Sequence, residues 1–259
     1  MGLRISLILD RFPRWASTLT ILVAVSGCAG SPRPDGINDP YEPTNRQVHA
    51  FNRGIDRILV GPAAKGYGTI VPMPAQRVVG NVARTLDLPG DIANNILQAN
   101  VADAATNSLR LAMNLTMGVA GLFDAATALG LPSQPTDFGE TLAVWGVGEG
   151  VYLEVPLLGP STARDAAGSF VDIVLNPTRL AFPNREANAA SIAKVFSRLG
   201  DRNRYAETVE SILYDSADSY AQARLLFLQN RRFELGQQAL GTTAQDDAFI
   251  DPYEDPYGQ

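Results

Sequence analysis

The segment DPYEPTNRQVHAFNRGID, residues 39–56, contains a clear start signal for a helix. Thr44 and Gln47 stand at the spacing of a capping box, in which two side chains satisfy free backbone donors at a helix start. Apolar residues then recur at helical spacing, namely Val48, Phe51, Ile55 and Leu59. The pattern predicts a first helix that is capped by Thr44 and packs through one apolar stripe.

Upstream of this helix, WASTLTILVAVSGC, residues 15–28, has the form of a bacterial lipoprotein signal. An apolar segment that is too short to span a bilayer follows Arg11 and Arg14 and ends in small residues suited to a signal peptidase. The only cysteine, Cys28, comes next and is predicted to become the lipidated N-terminus. Because Ala29 rather than an aspartate follows it, sorting to the outer membrane is favoured. A plain secretory signal with an incidental cysteine is the alternative.

Composition divides the chain into four predicted segments. Residues 1–27 are the signal peptide, and residues 28–38 form a flexible lipidated tether rich in Pro, Gly, Ser and Asp. Residues 39–240 are expected to form one mainly α-helical domain. Residues 241–259 are acidic and rich in turn residues, which predicts a disordered tail.

Net charge and cysteine content exclude several classes of protein. The formal net charge is −6 at pH 7, and loss of residues 1–27 leaves 18 basic and 26 acidic groups, a net charge of −8. An acidic chain without basic clusters argues against binding of nucleic acid and against recruitment to anionic lipid by charge alone. Once Cys28 is lipidated no thiol remains, so the mature chain has no disulfides.

The sequence offers little for catalysis. His49 is the only histidine, so a metal site would need carboxylates and a hydrolytic triad would have to use that residue. Ser161 lacks the second glycine of a nucleophile elbow and is better interpreted as a helix N-cap. Residues 137–139 spell the kinase triplet Asp-Phe-Gly without its partner motifs, and no Walker A motif is present. The prediction is a non-enzyme without metal or cofactor, although paired carboxylates acting on sugars stay open because their spacing is spatial.

Further helices are predicted along the chain. They are a helix with Val78, Val79, Val82 and Leu86 inward that ends at Pro89-Gly90, short helices at 92–98, 103–116 and 124–129, a helix at 160–174, one ended by Gly200, and a last one at 203–235. Between Leu111 and Phe123 only Asn114 and Thr116 are polar. A run of this length suits either a buried core helix or an interfacial one, and both alternatives stay open.

The segment from Thr141 to Val155 alternates in strand fashion around Gly146, Gly148 and Gly150, which predicts a glycine-rich hairpin. Glycine at every second position leaves one face bare, so we interpret these three residues as a flexible element that controls access to a site. A loose surface loop is the alternative.

An ordered series of residues resembles the MlaA (VacJ) outer-membrane lipoproteins over about residues 39–177. The series is Asp39-Pro40, Glu42, Asn45-Arg46, Phe51-Asn52, Asp56, Asn81, Leu86, Pro89, Asn95, Leu97-Gln98, Arg110, Asn114, Gly118, Gly121, Asp124, Gly130-Leu131, Asp137-Phe138-Gly139, Thr141-Leu142, Trp145-Gly146, Tyr152, Pro156, Leu158-Gly159-Pro160-Ser161-Thr162, Arg164-Asp165 and Gly168. Val151, Ala99 and Val82 depart from the family pattern, where a proline, a glycine and an aromatic residue are usual.

The resemblance implies an α-helical, ring-like single domain in the inner leaflet of the outer membrane, with a polar channel through its middle. It further implies a lipid-anchored protein on the periplasmic side with phospholipid, trimeric porins and a periplasmic lipid carrier of the MlaC type as partners. Such proteins remove misplaced phospholipid from the outer leaflet and pass it to that carrier.

Four residues of the first helix are the candidates for the channel or its support, namely Asn45, Arg46, Phe51 and Asn52, with helix packing and capping as the alternative. Two other functions stay open, a scaffolding lipoprotein that does not handle lipid and a phospholipid-degrading enzyme.

Overall fold

The computed structural model describes residues 37–174 and 184–236. The predicted signal peptide, the lipidation site Cys28, most of the tether and the acidic tail therefore lie outside the described residues.

The described chain is mainly helical, as predicted. The helices are α1 (Glu42–Ile55), α2 (Gly61–Ile70), α3 (Met73–Leu97), α4 (Val101–Thr116), α5 (Ala125–Ala128), α6 (Phe138–Val144), α7 (Ala163–Val174), α8 (Asn184–Arg204), α9 (Ala206–Glu210) and α10 (Ser219–Glu234). Two π-helical turns, Asp56–Val60 and Ser211–Asp215, connect α1 to α2 and follow α9. Strands β1 (Tyr152–Val155) and β2 (Gly159–Thr162) form an antiparallel hairpin in which Tyr152 pairs with Thr162.

The elements close into a ring. Helix α2 packs on α8, α8 on α3, α3 on α6, and α6 on α7. Helix α7 packs on the hairpin, and β1 packs on α1, which runs through the first π-helical turn back into α2. Helix α10 closes on β2, and α4 packs along α3. The ring-like single domain predicted from the family resemblance is confirmed.

Polar side chains dominate the interior. Among the described residues, more polar or charged side chains than hydrophobic ones are buried, and the compact apolar cluster is small: Tyr152, Tyr220 and Leu228, with Ile37 and Phe227 against it. Many large apolar side chains are instead exposed on the helices. No helix within the described ranges is long and apolar enough to cross a membrane.

The capping box predicted at the start of α1 is wrong. The helix begins at Glu42 with Tyr41 at the N-cap position, and no side chain caps it, so Thr44 lies inside the first turn. Pro43 accounts for the earlier start, because its fixed φ angle suits the first turn and its missing N–H would be unpaired there anyway.

Two predicted helix ends are wrong for the same reason. Helix α3 continues through Pro89 and Gly90 to Leu97, since α4 and α8 pack along it and tertiary contacts override the lost backbone hydrogen bond. Helix α8 continues through Gly200. A Cβ atom there would lie 3.4 Å from the Tyr67 ring, so this glycine lets α2 approach α8 closely rather than ending the helix.

The hairpin exists, but it lies further along the chain than its predicted position. Asp137 Oδ1 accepts a hydrogen bond from the Glu140 backbone N–H at 2.8 Å, and this cap draws Thr141 into α6. The turn of the hairpin is at residues 156–158, and the glycine-rich stretch forms the loop that leads into β1.

The predicted bounds of two later helices, 160–174 and 203–235, also differ from the structure. Ser161 lies in β2, and Thr162 Oγ1 accepts the capping bond from the Asp165 N–H at 3.2 Å. The predicted last helix is interrupted at Ser216, where the backbone is extended, and Asp218 caps α10 by accepting from the Ala221 N–H at 3.0 Å.

Candidate functional site

Two asparagines of α1 hold the hairpin in place. Asn45 Nδ2 donates to the Tyr152 carbonyl at 3.1 Å, and Asn45 Oδ1 accepts from the Glu154 N–H at 3.0 Å. Two helical turns later, Asn52 Nδ2 donates to the Val155 carbonyl at 3.0 Å, and its Oδ1 accepts from the Leu157 N–H at 2.8 Å. Each side-chain amide therefore donates to one backbone carbonyl of the hairpin and accepts from one backbone N–H. The backbone of a neighbouring strand would make the same pair of hydrogen bonds.

Asp39 connects the start of this assembly to α10. One carboxylate oxygen accepts from Asn45 Nδ2 at 2.9 Å, and the other accepts from the Tyr220 hydroxyl and the Arg224 guanidinium. The carboxylate is completely buried, so these charge-assisted bonds fix three segments of the chain to one another.

Arg46 and Phe51 face elsewhere. Arg46 donates to both oxygens of Asp218, at 3.0 and 2.8 Å, and to Glu42 at 2.9 Å. The Arg46 hydrogen bonds lower the pKa of Asp218 to about 2. Phe51 is 51% exposed. None of the four predicted channel residues lines the central cavity described below, and their role in transport stays a prediction.

The only histidine lies between a serine and a carboxylate. His49 Nε2 is 3.0 Å from Ser219 Oγ, and His49 Nδ1 is 3.2 Å from Glu154 Oε1. All three residues are buried, and none of them lines the central cavity. Ser219 Oγ also accepts from Arg53 Nη1 at 3.3 Å, and the Tyr152 hydroxyl donates to the other Glu154 oxygen at 2.6 Å. A hydrolytic triad needs a nucleophile that a substrate can reach, so this arrangement is better explained as packing between α1, β1 and α10.

A large cavity with both charged and apolar side chains in its wall lies between the elements of the ring and is called the central cavity below. Its volume is about 1350 Å³, and its walls come from α3, α4, α6, α7, α8, α10 and the hairpin. The charged side chains in the wall are Asp87, Asp91, Asp137, Asp165, Asp172 and Glu234 together with Arg84, Arg110, Lys194, Arg198 and Arg231. Carboxylates and cations are nearly balanced, so the wall can solvate a group of either sign.

Several of these charges bridge the elements of the ring. Arg231 on α10 lies 2.7 Å from an Asp137 oxygen and 3.2 Å from an Asp165 oxygen, which joins α10 to the starts of α6 and α7. Lys194 on α8 forms an ion pair with Asp87 on α3. Ion pairs across the ring therefore help to hold the cavity wall together.

Among the carboxyl groups of the cavity wall, Asp91 has a pKa far above its ordinary value. Burial raises its pKa to about 7, although a hydrogen bond from the Thr136 N–H at 3.4 Å opposes the shift. The negative charges of nearby Asp87 and Asp172 raise this pKa further, and the positive charge of Lys194 lowers it.

The loop between α6 and β1 is anchored at both ends. At its start, Trp145 Nε1 donates to the Leu97 carbonyl at 3.0 Å, and the Val147 N–H donates to the Leu142 carbonyl at 2.9 Å. Its second half is held by Glu149, which accepts from Arg232 at 2.6 and 3.0 Å, and by Gly150, whose carbonyl accepts from Asn38 at 3.3 Å. A Cβ atom at Gly146 or Gly148 would meet no atom within 4 Å. Control of access by this loop stays a prediction.

The turn after α4 presents apolar side chains to the outside. Helix α4 ends at Thr116, and the next residues hold Met117, Val119 and Phe123 at 62%, 56% and 59% exposure. Val119 has a φ of 52°, which is unusual for a β-branched residue. The second half of the Leu111–Phe123 run is therefore not a buried core, and its exposure favours the interfacial alternative.

Sequence reasoning missed most of the cavity wall. The charged residues come from five different helices and the segments beside them, so no local spacing could have brought them together. Arg164-Asp165 belongs to the residues that resemble the family, but the sequence does not reveal that Asp165 lies in the cavity wall.

The fold and the cavity define a class of protein, a helical ring around a cavity with charges of both signs and with many exposed apolar side chains. Residues 37–234 match the model of the MlaA lipoprotein family. The chain belongs to this family.

Curated relatives and a solved structure agree with this assignment. An uncharacterised protein of Rickettsia bellii is 33% identical over 196 residues, which cover 75% of this chain and 76% of the relative. The intermembrane phospholipid transport system lipoprotein MlaA of Escherichia coli is 34% identical over 158 residues, which cover 59% of this chain and 62% of the relative. A solved structure from work on the structural basis for maintenance of bacterial outer membrane lipid asymmetry matches with a TM-score of 0.65 and 26% identity, covering 76% of this chain and 98% of that chain.

Proposed function

We propose that this protein is an outer-membrane lipoprotein, anchored through Cys28 on the periplasmic side, that removes phospholipid from the outer leaflet. Phospholipid would pass through the central cavity to a periplasmic lipid carrier of the MlaC type, with trimeric porins as partners in the membrane. The observation that carries the proposal is a cavity of about 1350 Å³ with charges of both signs inside a ring that exposes many large apolar side chains.

The physical reason is the cost of moving a phosphate through hydrocarbon. An isolated charge there costs at least several kcal/mol. Side chains such as Arg231, Arg198 and Asn230 line the cavity and can replace the water around a headgroup. Exposed apolar side chains on the outside allow the ring to sit among acyl chains.

The test measures phospholipid in the outer leaflet of cells that lack this chain, with and without a copy of the gene. We expect the level to rise in its absence and to return when the wild-type protein is restored. Ser169 lines the cavity, so the variant Ser169→Trp, which narrows it, should restore the level less well than the wild type does. Ser108→Trp places the same side chain at an exposed position of α4 that does not line the cavity, and it should restore the level.

Two outcomes would redirect the assignment. An unchanged level in cells without the chain would favour the scaffolding function. Fatty acid released by the purified protein, and lost in Ser219→Ala, would instead favour phospholipid degradation.

A further inference from the structure

A smaller groove lies between α3 and α8, beside the central cavity. Its volume is about 240 Å³, and Arg77, Gly80 and Arg84 line it from α3, while Ser197, Gly200, Asp201 and Arg204 line it from α8. Arg84 also lines the central cavity, so the two spaces share a wall.

The groove is basic within an acidic chain. Three guanidinium groups line it against one carboxylate, Asp201. Arg77 has no hydrogen-bond or ion-pair partner among the described residues, and Arg84 donates only to Asn81 Oδ1, at 2.7 Å. Arg204 lies 3.8 Å from Asp201, and both side chains are exposed. The positive charge of the groove is therefore largely uncompensated.

Glycine keeps the groove open. A Cβ atom at Gly80 would lie 3.6 Å from Arg84 Nη1 and 3.8 Å from Ser197 Oγ, and one at Gly200 would lie 3.7 Å from Gln76 Oε1. Larger side chains at Gly80 would occupy the space between the arginines. Met73, at 52% exposure, adds an apolar edge to one side.

We infer that this arginine groove binds the phosphate of a phospholipid headgroup next to the central cavity. This inference rests on the proposed function and names a binding site within it. Guanidinium groups bind phosphate oxygens through paired hydrogen bonds, and the free donors of Arg77 and Arg84 offer such pairs. The apolar edge at Met73 suits the start of an acyl chain, and Arg84 would place the headgroup at the wall of the passage.

The binding test uses the full-length lipidated protein held in an amphipathic polymer. A short-chain phosphatidylglycerol, kept below its micelle-forming concentration, is titrated calorimetrically into the wild type and into Arg77→Gln/Arg84→Gln. Loss of two charge-assisted contacts should weaken binding by about tenfold or more. Arg57→Gln/Lys65→Gln removes two positive charges outside the groove and should bind as the wild type does.

A second variant keeps the charges and fills the space. Gly80→Met should weaken binding while both arginines remain, and it covers the case in which the double arginine variant does not fold. Unchanged binding in both folded variants would overturn the inference. Equal affinity for inorganic phosphate would also overturn the inference, because the rest of the lipid would then contribute nothing to binding. Equal affinity for a short-chain diacylglycerol without phosphate would overturn it as well, because the phosphate would then not be recognised.

The cellular readout separates this inference from the proposed function. If the wild-type chain restores outer-leaflet phospholipid to its normal level and Arg77→Gln/Arg84→Gln does so equally well, the groove inference fails while the transport function stands. If the wild type itself has no effect on that level, the transport function fails.

Discussion

Asp91 shows how a single buried side chain can make the stability of the ring depend on pH. Burial raises the pKa of this carboxyl to about 7, against an ordinary value of 3.8. The folded chain therefore holds a proton that the unfolded chain releases between about pH 4 and pH 7. Over that range the free energy of unfolding falls as pH rises, because the folded state binds more protons than the unfolded state.

We expect Asp91→Asn to stabilise the protein above pH 7 and to change little near pH 4. The amide can still accept the Thr136 N–H bond but has no charge to bury. The expected gain at pH 8 is on the order of 2 kcal/mol. Unfolding by denaturant at pH 4 and pH 8 measures it, with Glu207→Gln as an exposed control. An equal change at both pH values would show that Asp91 is not the titrating group.

At the scale of elements, the loop between α6 and β1 contains a position at which backbone freedom can be changed without changing any packing contact. Gly146 and Gly150 have φ angles of 86° and 74°, so side chains there would strain the backbone. Gly148 does not have a positive φ, and a Cβ atom added to it would meet no other atom within 4 Å. A substitution at Gly148 therefore changes mainly the freedom of the loop.

We predict that Gly148→Val raises outer-leaflet phospholipid while leaving the folded structure stable. A β-branched residue restricts the backbone, and a loop that must move for lipid to pass would then move less. Its effect on the free energy of unfolding should stay within about 1 kcal/mol. Gly148→Ala should have a smaller effect on lipid. Normal surface phospholipid in Gly148→Val would contradict a gating role.

Local pattern predicted most helices but placed several of their ends wrongly. The short helix predicted at 124–129 is present as α5, because its ends depend on residues close by: Asp124 caps its start, and Gly130 follows its end with a φ of 85°. Pro89 and Gly200 failed as stop signals because packing of α3 and α8 against neighbouring helices decides those positions. The hydrogen bonds from Asn45 and Asn52 to β1 join residues more than 100 positions apart, and a single sequence does not reveal such pairs.

The whole molecule reverses the usual distribution of side chains. Buried amides, carboxylates and guanidinium groups hold the ring together, while leucine, isoleucine and phenylalanine side chains lie exposed around it. Unpaired polar groups would make such an interior unstable, and most of them are paired here, as Arg231 is with Asp137 and Asp165. Exposed apolar surface of this kind is typical of a region that contacts a membrane or another protein.

The turn after α4 allows a direct test of whether the exposed apolar surface contacts acyl chains. Phe123 is 59% exposed beside Met117 and Val119, so we expect it to lie among acyl chains. In a Trp145→Phe background, Trp15 of the predicted signal peptide is the only other tryptophan. In a protein without that segment, Phe123→Trp should show blue-shifted emission in phospholipid vesicles. Lipids brominated on their acyl chains should quench that emission strongly.

The matched control is Gln47→Trp, at an exposed polar position of α1. Its emission should stay red-shifted, and brominated lipids should quench it far less. Equal and weak quenching at both positions would place the α4 turn in water, and the exposed apolar surface would then have to be covered by a protein partner. Strong quenching at residue 123 alone would place this turn among the acyl chains, as the interfacial alternative for the run from Leu111 to Phe123 requires.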